Sequence, residues 1–318
     1  MPGHLRVLFA TAALLLLLLP ASGTSGTEKT GKTIAFSHPA AQAGVVAKVV
    51  KFAQAEAKRT GNKLVVGAFE KGTPDEQFRQ IETWITQGVD AIHVFPLDPA
   101  SLAPLQKRAQ AKGIKWITYL IPMPGADGLL TVPAKSSGNA LAKAFNDYRA
   151  KHQLSGTAII FQFSYVPVLR ERIDIPAKAV EAAGFKIVAK QDIIDTAGAL
   201  TATENALRAN PDLRVAVAIT DDAALGANLA FKNAGVNPKD CFVAGADGTL
   251  EALQAIKARK TCYKASAAVD IRVFGQNVVD VPLAAIAGKK KNATVRMQPV
   301  IVTADTPKLL NDLLSAYK

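Results

Sequence analysis

The sequence predicts an α/β fold in which two doubly wound parallel-sheet lobes are joined by a hinge of three chain crossings. Short β-rich runs alternate with longer helical patterns about ten times, which is typical of parallel strands covered by helices on both faces. So many strands exceed one compact sheet of this kind, and their spacing is similar in the two halves of the chain. Right-handed crossovers then give two doubly wound sheets.

Residues 1–23 have the composition of a secretory signal peptide. Arg6 supplies a basic start, an apolar run extends from Val7 to Leu19, and small residues follow Pro20. The run is shorter than the ~20 residues that a membrane-spanning helix needs. We therefore expect cleavage near residue 23 and export to a periplasm or the cell exterior. The apolar run is not followed by a cysteine that could carry a lipid anchor.

The next segment, residues 24–32, overlaps a phosphate-loop pattern. GTEKTGKT at 26–33 fits G-x-x-x-x-G-K-[ST]. A phosphate loop follows a buried strand and begins a helix, whereas here the strand-like TIAFS comes after the motif. We therefore interpret 24–32 as a flexible start of the mature chain and not as a nucleotide site.

The rest of the chain supplies the strands and helices of the two lobes. In one amphipathic stretch Ile81, Trp84 and Ile85 recur at helical spacing, with Pro74 and Gly88 as start and stop signals. The predicted strands are 33–37, 63–69, 91–95, 115–119, 129–132, 157–163, 186–193, 214–219, 241–246, 263–269 and 295–303.

The lobe boundaries follow from the loops that are expected to cross between the sheets. These loops lie at 120–137, 264–270 and 292–303. The first lobe is then predicted to comprise 33–134 and 270–293, and the second 135–269 and 294–318. A chain of 318 residues is long enough for two domains of ordinary size.

Composition favours a soluble globular protein without a polyanion site. The chain is 49% hydrophobic and 20% charged, and its formal net charge is +12. Lys and Arg are spread along the chain, and the one dense run, 288–292, has the sequence of a turn. We interpret the charge as solvation and expect no nucleic-acid partner.

The two cysteines, Cys241 and Cys262, each precede an apolar strand-like run. In an oxidising compartment an even count favours a disulfide, which would contribute ~3 kcal/mol by loop closure. Two separate buried thiols are the alternative.

Four stretches, in their order and spacing, resemble a known family. They are 80–93, 169–188, 219–235 (similar to an N-D-x-x-A-x-G-A segment) and 243–258 (with G-x-D-G-x-x-x-A-L-x-A-I). Together they resemble periplasmic sugar-binding proteins of the ribose-binding, type I kind, the soluble receptors of ABC importers. The resemblance covers 33–305. Repressors of the same fold carry an N-terminal DNA-binding helix pair, whereas a signal peptide occupies that place here.

Candidate ligand-binding residues lie at predicted strand ends, where two facing sheet edges would form a cleft. A sugar site combines charged groups for pairs of hydroxyls with rings for C–H faces. The candidates are Ser37, His38, Phe95, Asp98 and Tyr119 in the first lobe, Phe163, Tyr165, Arg172, Thr220, Asp221 and Asp247 in the second, and Asp270 at a crossing.

The resemblance gives three of these candidates specific roles. It places a sugar-binding carboxylate at Asp247, a guanidinium fork at Arg172 and an apolar wall at Phe163. The alternatives are a helix cap for Asp247 and a surface ion pair for Arg172. Asp222 has the position of a helix-start acid.

The sequence also departs from the family pattern. SHPAAQAG at 37–44 lacks the family's Asn and paired aromatics, TYLIP at 118–122 lacks an acidic residue, and Thr220 replaces an Asn. These changes indicate fewer hydroxyl-matching groups in the first lobe. A deoxy sugar, a polyol or a non-sugar of similar size is therefore expected instead of plain ribose.

Catalytic patterns are weak. ADGTLEAL is similar to a phosphatase loop, but Gly245 stands where that loop has its nucleophile. The sequence has no G-x-S-x-G, no H-E-x-x-H and no cysteine pair with zinc-ligand spacing. His38, at the cleft edge, is expected to donate to a ligand hydroxyl. We expect no metal and no cofactor.

The resemblance implies a monomeric binding protein, not an enzyme, that closes around a small molecule and delivers it to a membrane ABC permease. A receptor that signals to a chemoreceptor or sensor kinase is the first alternative. An exported α/β hydrolase is the second, and it would need a nucleophile with a nearby base.

Overall fold

The computed structural model describes residues 31–42, 44–290 and 293–318. The predicted signal peptide at 1–23 lies outside these residues, as do most of the segment 24–32 and of the GTEKTGKT motif. No helix in the described part of the chain has the length and apolarity needed to cross a bilayer.

The first part of the chain alternates strands and helices. Its elements are β1 (Thr33–Ser37), α1 (Gly44–Arg59), β2 (Lys63–Val66), α2 (Pro74–Gln87), β3 (Ala91–Val94), α3 (Pro99–Ala111), β4 (Lys115–Tyr119) and β5 (Gly128–Thr131).

The second part continues the alternation. Its elements are α4 (Ala134–His152), β6 (Thr157–Gln162), α5 (Glu171–Ala182), β7 (Lys186–Asp192), α6 (Thr196–Ala209), β8 (Leu213–Ala218), α7 (Asp221–Asn233), β9 (Phe242–Asp247), α8 (Leu250–Ala258), β10 (Tyr263–Ala268), α9 (Ile271–Ile286), β11 (Thr294–Arg296), β12 (Val300–Thr303) and α10 (Pro307–Ser315).

The described strands form two six-stranded sheets, which confirms the predicted fold class. The first sheet has the order β11-β5-β4-β3-β1-β2 and the second β12-β10-β9-β8-β6-β7. Strands pair in parallel in both, apart from β12, which runs antiparallel to β10. Each sheet is covered by helices on both faces, so the molecule has two lobes.

The alternation of side chains along each strand explains why both faces are covered. Ile34 and Phe36 of β1 pack with α1 and α9, while Ala35, between them, faces the cluster of α2 and α3. In the second sheet Ile160 packs with α4 and α5, and Ile159 faces α6, α7 and α8. Strands buried on both faces read as continuous apolar runs, which is the pattern that the sequence shows.

Helix α2 begins and ends where the sequence predicts. Thr73 accepts a hydrogen bond from the backbone of Glu76, whose side chain accepts from the backbone of Thr73, so the two form a capping box. Pro74 is the first helical residue, and Gly88 ends the helix in the left-handed conformation, with φ 70°.

The chain passes between the two sheets after β5, after β10 and between β11 and β12. The prediction of one strand at 295–303 was wrong, because its two ends belong to different sheets. Residues 294–296 pair with β5 in the first sheet, and 300–303 pair with β10 in the second. The third crossing therefore follows Arg296, whereas the predicted boundary assigned 294 onward to the second lobe.

Cys241 and Cys262 are joined by a disulfide, with their Cα atoms 5.2 Å apart. The bond connects the residue before β9 to the residue before β10. Because β9 and β10 pair in parallel, their amino ends lie at the same edge of the sheet, and the disulfide joins the chain there.

Candidate binding site between the lobes

Arg172 and Asp247 form a charged pair at the carboxyl ends of the second sheet. Arg172 lies in the first turn of α5 and is 7% exposed. Its Nη1 is 3.4 Å from Asp247 Oδ1 and 3.4 Å from the carbonyl oxygen of Ile219, just beyond β8. Both distances are long for hydrogen bonds, and Nε of Arg172 has no partner among the described residues. The alternative of a surface ion pair does not fit this burial.

Asp247 ends β9 in a backbone conformation that is unusual for a residue with a side chain. Its φ is 119°, and Gly248 follows with φ 78°. A Cβ on Gly248 would lie 2.6 Å from Cβ of Ala268, so the turn requires glycine. Strain of this kind clusters at ligand sites. The alternative of a helix cap does not hold for Asp247, because Thr249 caps α8.

The surroundings of Asp247 favour its neutral form. Burial raises its pKa to about 7, Arg172 opposes that rise, and the nearby carboxylates of Asp221 and Asp222 add to it. The side chain of Asp247 is nevertheless 32% exposed, so a ligand could reach its oxygens. The guanidinium and the carboxyl together can donate to and accept from neighbouring hydroxyls.

Asp221 supports this pair and is fully buried. Its Oδ2 accepts from the backbone N–H groups of Gly248 and Thr249, each at 2.8 Å. Its Oδ1 accepts from the hydroxyls of Tyr263 at 2.7 Å and Ser266 at 2.8 Å. The prediction that Asp221 contacts a ligand is therefore corrected: both oxygens are occupied, and the residue positions the turn that carries Asp247.

In the first lobe, rings gather at the carboxyl ends of β1, β3 and β4. The ring of His38 lies 5.0 Å from that of Phe95 and 5.7 Å from that of Tyr119. Phe95 and Tyr119 are 6.0 Å apart, and Phe274 of α9 lies 4.9 Å from Tyr119. These spacings are those of interacting aromatic pairs. The first lobe thus contributes an aromatic wall.

His38 is neutral in this wall. It is 8% exposed, and its burial, with a smaller effect of His93, lowers its pKa to about 3. Its Nδ1 lies 3.1 Å from the backbone nitrogen of Ala40 and accepts that N–H. In a neutral ring that accepts at Nδ1, the proton is on Nε2. His38 can therefore donate one hydrogen bond, and its donation to a ligand hydroxyl stays a prediction.

Ser37 is buried and bonded within the first lobe. Its hydroxyl accepts from Gln77 Nε2 at 3.0 Å and donates to Gln80 Oε1 at 3.2 Å. Gln77 also donates to the carbonyl of Phe95 at 2.8 Å and accepts from the N–H of Leu97 at 2.9 Å. The loops after β1 and β3 are therefore held together by Gln77.

The strand tips of the two lobes face each other. Leu120, just after β4, belongs to the same buried apolar cluster as Val166 and Leu169 of the second lobe. The pKa of Tyr119 is raised by its burial and by Asp247, while Arg172 lowers it. The charged pair of the second lobe is therefore close enough to the aromatic wall of the first to change the pKa of Tyr119.

The remaining candidates have other surroundings. Phe163 is half-buried against the same apolar cluster, and Tyr165, 6.2 Å from it, is 79% exposed. Asp98, Thr220 and Asp270 cap the amino ends of α3, α7 and α9. Asp270 is also paired with Arg272. The side chains of these three residues accept hydrogen bonds from backbone N–H groups, as short polar residues do at helix starts.

Sequence reasoning missed several residues that shape the site. In the sequence, Gln77 has the pattern of a polar residue on a helix, and Phe274 has that of a core residue one turn beyond a crossing. Tyr317 donates to the carbonyl of Gly248 at 2.7 Å from the last residues of the chain. The predicted crossing at 270 could have indicated Phe274, but nothing in the sequence links Tyr317 to a turn 69 residues away.

Among the described residues, no cluster of three His, Cys, Asp or Glu side chains could hold a metal ion. Of the cavities, one of about 660 Å³ lies between β7 and α6, away from the Arg172–Asp247 pair. Its walls are mostly alanine and other small or apolar side chains, without a charged group. We therefore centre the site on the charged pair and not on this cavity.

Comparison with known proteins identifies the family of this chain. The model of the periplasmic binding protein domain matches residues 34–290. The ribose import binding protein of Bacillus subtilis is 28% identical over 253 residues, which cover 76% of this chain and 77% of that protein.

Solved structures are also similar. An ABC transporter solute-binding protein from Mycobacterium smegmatis, with bound glycerol, superimposes with a TM-score of 0.77 and 27% identity, over 88% of this chain and 96% of that one. A periplasmic solute-binding protein from Actinobacillus succinogenes, with bound D-allose, gives a TM-score of 0.79 and 25% identity, over 87% and 99%. The chain belongs to the periplasmic binding protein family, and it is a substrate-binding protein of an ABC importer and not an enzyme.

Proposed function

We propose that a sugar or polyol binds between the two lobes and is held by Arg172 and Asp247. The observation that carries this proposal is the state of Arg172, which is 7% exposed and has an Nε without a partner. A buried charged N–H without an acceptor costs free energy. An oxygen of the ligand supplies the missing acceptor.

Each part of the site has a role in this proposal. Arg172 donates to ligand oxygens from Nε, and the carboxylate of Asp247 accepts from two neighbouring hydroxyls. Phe95 and Tyr119 cover an apolar C–H face of the ligand from the first lobe, and His38 donates from Nε2. Phe163 forms the apolar wall on the side of the second lobe.

The relatives and the wall together indicate the class of ligand. One relative is named for ribose import, and one similar structure holds D-allose, which supports a sugar. In the first lobe, however, the candidates at the wall are rings, and Ser37 and Asp98 have internal partners. A ligand with hydroxyls at one end and an apolar part at the other, such as a deoxy sugar, fits this asymmetry.

Delivery follows from closure of the lobes. The lobes rotate about the crossings after β5, after β10 and between β11 and β12, and closure buries the ligand. A ligand shifts this equilibrium only by its difference in affinity for the two states. The partner is a membrane permease, the protein acts as a monomer without nucleic acid, and residues 1–23 direct it to the periplasm.

A thermal-shift screen of sugars, deoxy sugars and polyols tests the proposal. A ligand at 100 times its dissociation constant adds ~2.7 kcal/mol to the free energy of unfolding. We expect at least one member of these classes to raise the melting temperature. A screen in which only other classes of small molecule stabilise the protein would contradict the proposed ligand.

Arg172→Met then tests the site itself. Loss of charged hydrogen bonds should weaken binding by about a hundredfold. The matched control is Arg208→Met, because Arg208 is exposed and lies in the last turn of α6, away from the carboxyl ends of the strands. Equal affinities of the two variants would show that the ligand binds elsewhere.

A further inference from the structure

A second cavity lies at the end of the second lobe that is farthest from the cleft. It has a volume of about 380 Å³, which is within the range of small-molecule sites. It is lined by the last turns of α4, the first residues of β9 and β10, and the end of β12. Phe242, in its wall, and Asp247, in the cleft, are at opposite ends of β9, about 16 Å apart at ~3.3 Å per residue.

The walls of this distal cavity are aromatic. Phe242 and Tyr263 are buried beneath it. Tyr148 stands at its side, with its ring stacked on that of His152 at 4.2 Å between centroids. The hydroxyl of Tyr148 donates to the carbonyl of Lys239 at 3.1 Å, so the ring is fixed in place. His152 covers one face of this ring, so a planar apolar group that enters meets the rest of the aromatic wall, formed by Tyr148, Phe242 and Tyr263.

The cavity also contains a cation that lacks a carboxylate. Lys264 is half-buried, and its ammonium lies 5.3 Å from the centre of the Tyr148 ring. It donates to the carbonyl of Thr261 but forms no ion pair within the described ranges. Desolvation lowers its pKa to about 8, the shift expected of an ammonium removed from water without a counter-charge.

Four of the six charged side chains that line the cavity are cationic. The two acids that line it form exposed ion pairs, Asp147 with Lys143 at 2.6 Å and Asp305 with Lys151 at 3.5 Å. Three further ring or cationic side chains, His152, Lys239 and Arg259, also line the cavity. An anion that enters the cavity therefore meets an excess of cationic side chains, which include Lys264.

We propose that the distal cavity is a second ligand site, and that it binds a small aromatic carboxylate whose ring lies against the aromatic wall of the cavity and whose carboxylate pairs with Lys264. The site is independent of the sugar site. The elements that line it include α4, β10 and β12, which carry the chain into and out of the second lobe at the three crossings.

Titration calorimetry with benzoate tests this site. Benzoate should bind to the wild-type protein, and benzylamine, which has a similar ring and the opposite charge, should not. Lys264→Met should weaken benzoate binding by about tenfold or more, as expected for loss of a charged partner. The matched control, Lys260→Met, replaces an exposed lysine that does not line the cavity and should bind benzoate as the wild type does.

A second measurement does not depend on the folding of a variant. In wild-type protein with ¹³C-labelled lysine, benzoate should raise the pKa of Lys264, as followed by its ¹³Cε chemical shift. The proposal is overturned if benzoate does not bind, if benzylamine binds as well, if the two lysine variants bind benzoate equally, or if the titration of Lys264 does not move. Arg172→Met should retain benzoate binding, and loss of that binding would place benzoate in the cleft instead.

Discussion

Ligand affinity should fall about thirtyfold when the pH is lowered from 8 to 5.5. The pKa of Asp247 in the unoccupied site is about 7, whereas the proposed bonds to two hydroxyls require the ionised carboxylate. About nine-tenths of Asp247 is ionised at pH 8 and about 3% at pH 5.5, a ratio that corresponds to about 2 kcal/mol at 1.36 kcal/mol per pKa unit. The imidazole of His38 does not change its charge over this pH range, because its pKa is about 3.

Titration calorimetry between pH 5.5 and 8, with a sugar identified in the thermal screen, measures the effect. Binding at pH 6 should release about 0.9 proton per site, which appears as a dependence of the heat on the ionisation enthalpy of the buffer. Asp247→Asn should bind weakly and with the same affinity at each pH. Equal or higher wild-type affinity at pH 5.5, or a variant that keeps the wild-type slope, would refute the ionised carboxylate of Asp247 as the acceptor for the ligand.

Three further predictions concern stability and the turn at Asp247. The folded protein holds a proton on Asp247 more tightly than the unfolded chain does, so protonation of Asp247 contributes to the free energy of unfolding at low pH, and this contribution should be lost as the pH rises from about 4 to about 7. In urea titrations the free energy of unfolding of Asp247→Asn should depend less on pH than that of the wild type, and an identical pH dependence would contradict the raised pKa. Tyr317→Phe removes the hydrogen bond to Gly248 and should weaken ligand binding about fivefold, at ~1 kcal/mol per bond; unchanged calorimetric affinity would mean that the turn holds without it. Replacement of Cys241 and Cys262 by serine should lower stability by ~3 kcal/mol with ligand affinity retained, and urea unfolding that matches the wild type would argue against the bond.

The two sheets could be predicted from the sequence because each strand carries its own signal. Runs such as the one around Ile34 and Phe36 are apolar throughout, and capping residues such as Thr73 and Gly88 mark helix ends locally. The break at residues 297–299 could not be predicted in this way. A strand that changes sheet differs from a continuous strand only in its distant partners, β5 and β10.

The candidate site was predictable where position along a strand decides it. Arg172 and Asp247 were named from strand ends and from the family pattern, and the structure brings them together. Asp221 shows the limit of such reasoning. Sequence position places it beside the cleft, but only the fold reveals that Gly248, Thr249 and Tyr263 already occupy its oxygens.

The most direct test is a crystal structure of the protein with the sugar or polyol that stabilises it most. We predict that a ligand oxygen lies within hydrogen-bond distance of Nε of Arg172, that two hydroxyls reach Asp247, and that an apolar face meets Phe95 and Tyr119. A ligand seated away from the strand ends, or one in the cleft that leaves Nε of Arg172 without an acceptor, would contradict the proposed site.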